Sequence, residues 1–83
     1  MPSVDTILLS IRNNPDSVRF TDAKTVCDYF FGKPRIHGSH HVYNMPWFGD
    51  PRISIQNLQG YVHIYQVRQF VLAIDKLEGS NNV

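Results

Sequence analysis

Three of the four histidines, His37, His40 and His41, fall within five residues around the pair Gly38-Ser39. A free imidazole titrates near pH ~6.5, so it can accept or release a proton at neutral pH. The run His41-Val42-Tyr43-Asn44 alternates in the manner of a strand with one covered and one open face. Neighbouring strand residues point to opposite faces, so His40 and His41 do not both serve one site. Gly38 and Ser39 are small, and a ligand can come close to the backbone there. A zinc site is the weaker reading of the cluster. Adjacent strand histidines diverge, and the lone Cys27 belongs to a helical stretch. Cys27 is also a poor nucleophile, because Asp22 and Asp28 nearby disfavour a thiolate.

The charge around these histidines is one-sided. The chain as a whole carries only +1. Between Phe31 and Phe70, however, Lys33, Arg35, Arg52 and Arg68 face Asp50 alone, while most acids sit in the N-terminal third and the last helical stretch. Such a local surface attracts a polyanion. On charge alone, four scattered surface cations explain the same counts.

The elements that hold this region can be read from the pattern. At 83 residues the chain makes one domain, spanning 1–83. Its core is small, since a chain this short buries only about 60% of its unfolded surface. The stretch 1–14 predicts an additional N-terminal helix, with Ser3 as its cap, Asp5 in its first turn and Ile7, Leu8 and Ile11 on one stripe. Asn13-Asn14-Pro15-Asp16 stops it. A second helix begins at Thr21 as N-cap, with Phe20 before it as a hydrophobic staple, and ends at Gly32 and Pro34. Ala23, Val26, Cys27, Phe30 and Phe31 form its apolar face.

Three short strands are expected next. The first runs from Arg35 past a Gly38-Ser39 break to Met45, the second spans Arg52 to Gln56, and the third spans Tyr61 to Ile64. A loop over 46–51 and a tighter turn over 57–60 make them antiparallel. Tyr65 to Leu77 is the clearest helix, with Val67, Phe70, Val71, Ile74 and Leu77 on one broad face. A frayed tail is expected over 79–83. The order α-α-β-β-β-α implies an α+β fold, with helices on one face of an antiparallel sheet and the other face open. No apolar run approaches the ~20 residues of a membrane span, and no signal segment opens the chain. The single cysteine suits a reducing compartment, so a cytoplasmic location without membrane attachment is expected.

The second half resembles the HicA-type toxins of bacterial toxin–antitoxin pairs. The likeness is carried by Phe30-Phe31-Gly32-Lys33-Pro34-Arg35 and Gly38-Ser39-His40-His41-Val42-Tyr43. It continues through Pro46-Trp47-Phe48-Gly49-Asp50-Pro51-Arg52-Ile53-Ser54-Ile55-Gln56 and Tyr65-Gln66-Val67-Arg68-Gln69 to Ala73-Ile74-Asp75-Lys76-Leu77. It extends from about Arg19 to Glu78 and looks like the subgroup with an extra N-terminal helix. Two positions depart from that subgroup. His37 stands where a small or polar residue is usual, and Asn44 where a basic residue is common.

The resemblance implies a fold like that of a double-stranded-RNA-binding domain (dsRBD-like, α-β-β-β-α). It implies an mRNA interferase, an endoribonuclease that cleaves messenger RNA without a metal or a small-molecule cofactor. It also implies a HicB-type antitoxin that covers the site. The family's essential histidine follows the Gly-Ser pair and maps to His40, with His41 in reserve. RNA carries its own nucleophile, the 2′-hydroxyl, so the enzyme need only move protons and stabilise charge at phosphorus. Lys33, Arg35 and Arg52 are the expected phosphate contacts, with Gly38 and Ser39 allowing close approach. Trp47 and Phe48 either stack on bases, pack the loop onto the sheet, or meet the antitoxin. His37 and His63 are expected at the rim or in structural roles, and Ser54 and Gln56 on the open face. Two other classes stay in view: a non-catalytic RNA-binding module of the same fold, and a protein-interaction domain built on the loop aromatics.

Overall fold

The computed structural model describes residues 3–45 and 52–79. The elements follow in the order α1 (Val4–Asn13), α2 (Phe20–Phe31), β1 (Arg35–His37), β2 (His40–Asn44), β3 (Arg52–Gln56) and α3 (Ile64–Gly79). The strands form one antiparallel sheet in the order β1-β2-β3. The chain is therefore α+β, with three helices and an open three-stranded sheet. Among the described residues, no helix is long and apolar enough to cross a membrane.

Helix α1 starts where Ser3 Oγ accepts the amide of Thr6 at 3.2 Å, the N-cap bond its sequence calls for. Leu8 and Ile11 turn into the core, and α1 packs on α2. Its far end is tied to α3 by Arg12, whose two guanidinium nitrogens donate to the two carboxylate oxygens of Asp75 at 2.7 and 3.3 Å. Helix α2 begins two residues earlier than its sequence suggests. Arg19 takes the N-cap position and no side chain caps the helix, so Thr21 does not serve there. Tertiary pairing fixes this start. The Phe20 amide donates to Gly60 O at 2.9 Å, and the Val62 amide donates to Val18 O at 2.9 Å. The chain entering α2 is thus held by the segment leading into α3, and Phe20 is drawn into the helix.

The sheet corrects the expected division into strands. Residues 35–45 are not one strand interrupted by a break. Gly38 and Ser39 form a two-residue hairpin turn, and the chain reverses there, pairing Arg35 with Val42, Ile36 with His41 and His37 with His40. Gly38 has φ +61 and is the one positive φ in that turn, the pattern of a type II′ hairpin. A side chain at that φ is strained, even though a Cβ there meets no atom within 4 Å.

Residues 61–64 are not a strand either. Leu58 and Tyr61 exchange both backbone hydrogen bonds, at 2.8 and 3.1 Å, around Gln59-Gly60, both of positive φ. That is a type I′ turn rather than part of the sheet. His63 then opens α3: its Nδ1 accepts the Tyr65 amide at 3.0 Å, and its carbonyl accepts the amides of Gln66 and Val67. The alternating sequence Tyr61-Val62-His63-Ile64 thus serves a turn and a helix start.

One face of the sheet meets the helices. Tyr43, Ile53 and Ile55 point into a core shared with Val26 and Cys27 of α2 and Val67, Phe70 and Ile74 of α3. Cys27 is fully buried, as a small core residue. Helix α3 extends to Gly79, so its end lies inside the expected tail, while 80–83 fall outside the described residues. The 46–51 loop, with Trp47 and Phe48, also lies outside them.

Candidate functional site

The strand register decides which side chains share the uncovered face. Cross-strand partners lie on the same face, and alternate residues along a strand follow them. Three rows result. The first holds His37, His40 and Gln56, one from each strand. The second holds Arg35, Val42 and Ser54, and the third Asn44 and Arg52. Arg35, His37, His40, Asn44 and Arg52 are exposed, while Val42, Ser54 and Gln56 are half-buried. None of the three described strands contains Asp or Glu. The face is therefore cationic and carries imidazoles, with no carboxylate on its strands to neutralise it.

His40 lies in the central strand at the mouth of the hairpin, on the open face. Its ring is not under the helices. Gln56 lies opposite it and is held at both ends. The Gln56 side-chain nitrogen donates to Ser39 Oγ at 2.9 Å, and its backbone amide donates to Gln66 Oε1 at 3.0 Å. Ser39 is thereby fixed against the row that contains His40. Its local role is to hold the turn while leaving the backbone of Gly38 and Ser39 exposed.

The expected phosphate contacts are not equivalent. Arg35 is a diagonal neighbour of His40, a separation of roughly 7–8 Å that a long side chain spans. Lys33 is exposed two residues before it, on the approach to β1. Arg52 is four residues further along the sheet than Gln56, roughly 13 Å at ~3.3 Å per residue. Arg35 is thus the strand cation beside the histidine row, Lys33 stands four residues before His37 along the chain, and Arg52 marks the far end of the same face. Arg68 and Gln69 are exposed on α3.

His41 occupies the opposite environment. It lies on the covered face with Tyr43, half-buried, its ring edge-on to Phe20 at a centroid distance of 5.1 Å. Its Nδ1 is buried with no hydrogen-bond partner among the described residues. Next to it on that face, Tyr43 donates its hydroxyl to Asp28 Oδ1 at 2.6 Å, and Lys24 donates to Asp28 Oδ2 at 2.6 Å. Burial pushes the Asp28 carboxyl up, but the bonds from Lys24 and Tyr43 and the charges of Lys24 and His41 hold it below its ordinary 3.8. Burial, then the bond to Asp28, pushes the Tyr43 phenol upward. Burial first, and the charge of Asp28 second, also push the Cys27 thiol up, so it stays protonated and inert. Asp22 has no part in that shift.

Among the described residues, no three His, Cys, Asp or Glu side chains gather where they could hold a metal ion. Trp47 falls outside the described residues. The feature that sequence reasoning missed is the pairing of His37 with His40. Its signal was available, because a Gly-X pair between two extended runs is the signature of a two-residue type II′ hairpin.

Fold and site together define a small α+β chain with an open sheet face bearing histidines and cations and no strand carboxylate. No family model, curated protein or solved structure matches it.

Proposed function

We propose that this chain is a HicA-type toxin: a metal-independent endoribonuclease that cleaves messenger RNA, works in the cytoplasm, and is neutralised by a HicB-type antitoxin. In this reading the α2-β1-β2-β3-α3 portion is a dsRBD-like fold and α1 is an addition to it. The motif residues support the family. The observation that carries the activity is the exposure of His40 on a sheet face whose strands hold cations and no acids.

The chemistry follows from that placement. A phosphodiester lying across the face brings one phosphate to the histidine row. His40, as the neutral imidazole, takes the proton of the 2′-hydroxyl. The 2′-oxygen then attacks the adjacent phosphorus. Arg35, with Lys33 further back on the approach to β1, stabilises the negative charge that grows on the phosphoryl oxygens. Arg52 holds a more distant phosphate and fixes the register of the strand. Cleavage by this route leaves a 2′,3′-cyclic phosphate and a 5′-hydroxyl. The antitoxin, covering the same face, blocks access to His40.

The test is a labelled transcript incubated with purified protein in the presence of a chelator. The expected result is cleavage with cyclic-phosphate ends, reduced by about 10²–10⁴-fold in His40→Ala, the range for loss of a general base. The variant should keep the wild-type melting temperature, since His40 is exposed. Full activity in the variant refutes the assignment. A mobility shift without cleavage by the wild type makes the chain an RNA-binding module instead, and neither signal leaves a protein-interaction domain.

A further inference from the structure

We propose that His37 is the second proton-transfer group of the site, the general acid that protonates the leaving 5′-oxygen. This rests on the ribonuclease reading above and adds a catalytic residue to it. Cleavage of an RNA phosphodiester makes and breaks one bond each. As the 2′-oxygen attacks, its proton passes to His40. As the bond from phosphorus to the 5′-oxygen breaks, that oxygen leaves with the electron pair and needs a proton. One imidazole does not serve both ends of an in-line displacement at once, because the entering and leaving oxygens lie on opposite sides of phosphorus. Two imidazoles flanking the phosphate serve both, one arriving neutral and the other protonated. Afterwards their protonation states are exchanged, and solvent restores them.

The hairpin supplies that pair. His37 and His40 are register partners at its mouth, on the same open face, with Cβ atoms about 5 Å apart as directly opposed strand residues are. Both side chains are exposed, and no hydrogen bond or ion pair ties either of them to a neighbour among the described residues. Their strands contain no carboxylate that would fix one ring in the charged form. His40 is in the central strand and His37 in the edge strand β1, so a chain crossing the sheet from its open edge meets the two rings in succession. Arg35 stands two residues from His37 on the same strand and face, beside the path of the scissile phosphate. The adjoining turn is tied to β3 by the Gln56 to Ser39 bond.

The discriminating experiment uses two chimeric oligonucleotides, each with a single cleavable ribonucleotide. One has the natural 5′-oxygen leaving group and the other a bridging 5′-sulfur, a thiolate that departs without being protonated. On the oxygen substrate, His37→Gln is expected to lower kcat by about 10²-fold or more with KM little changed. On the sulfur substrate that loss should shrink to within a few-fold. His40→Ala should stay impaired on both, because it removes the base. The pH-rate profile of the wild type should have two limbs, of which His37→Gln loses the alkaline one.

Equal kcat of His37→Gln and wild type on the oxygen substrate overturns the proposal and leaves the His40 assignment intact. So does an equal loss on both substrates, the behaviour of a residue that only binds or shapes the face. No cleavage by the wild type on either substrate overturns the ribonuclease reading itself, and the proposal with it.

Discussion

His40 and His41 are neighbours in sequence and yet inhabit two chemistries. His40 stands on the open face in a row with His37 and Gln56, exposed and flanked by the cation Arg35. His41 is turned under α2, edge-on to Phe20, beside a network in which Tyr43, Lys24 and Asp28 satisfy one another. On the covered face Tyr43 is committed to an internal bond with Asp28 and His41 Nδ1 is sealed in without one, whereas on the open face the rings of His37 and His40 stay exposed. A three-stranded sheet with helices on one side separates binding from stability in this way, residue by residue along each strand. Substitutions should therefore divide the same way, with open-face changes altering activity and covered-face changes altering stability.

The largest contrast is expected between His40→Ala and Ile55→Ala. The first removes cleavage and leaves folding untouched. The second empties a fully buried site on β3 and should cost about 2–5 kcal/mol. A domain of this size has roughly 4–12 kcal/mol in all, at ~0.05–0.15 per residue, so Ile55→Ala should lower the urea midpoint sharply. If Ile55→Ala were as stable as wild type, the covered face would not be the core.

Within the open face, Arg35 and Arg52 can be set against each other. Arg35→Gln removes a charge one diagonal from His40 and should lower kcat roughly tenfold, about 1.4 kcal/mol in the barrier. Arg52→Gln should weaken substrate binding and flatten its salt dependence while sparing kcat. Equal kcat effects would mean that the scissile phosphate lies midway along the face rather than at the hairpin mouth.

Beneath the sheet, Tyr43→Phe deletes the phenol that donates to Asp28 and should cost about 1–2 kcal/mol. Acid should act on the same network. The Asp28 carboxyl is held below its ordinary 3.8 when folded, so its contribution is complete above that value and is lost as pH falls through the lowered folded one. Asp75, lowered first by its bond from Arg12 and also by that residue's charge, adds in the same direction. Unfolding measured from pH 6 to pH 2 should show stability falling below about pH 4, with a shallower fall in Asp28→Asn.

The smallest effect is expected at His41. Its buried, unpartnered Nδ1 carries a desolvation penalty that an apolar side chain removes, so His41→Leu should shift stability by less than about 1 kcal/mol, upward. Cleavage lost in that variant without unfolding would move the base from His40 to His41.

The helices were the legible part of the chain. Ser3 caps α1 by the bond its type predicts, and the stripe of Val67, Phe70 and Ile74 is buried in α3. Of the expected strands only Arg52–Gln56 was legible, since the first is two strands and the third is none. A three-residue edge strand is too short for alternation to reveal, so Arg35–His37 read as the front of β2 rather than its partner. Tyr61-Val62-His63-Ile64 alternates like a strand, but Tyr61 pairs within a type I′ turn and His63 caps α3. Thr21 looks like a cap, yet the bond from Phe20 to Gly60 starts α2 earlier.

Local chemistry determined the residue types: imidazoles beside a Gly-Ser pair, cations without nearby acids, and apolar stripes long enough to bury. Strand alternation alone separated His40 from His41, because a pleated backbone sends successive side chains to opposite sides. Tertiary structure decided which side was open, which cation stands near His40, and that His37 faces it. Those depend on where the chain reverses and what packs beneath, and a hairpin register joins residues through hydrogen bonds that no single segment contains.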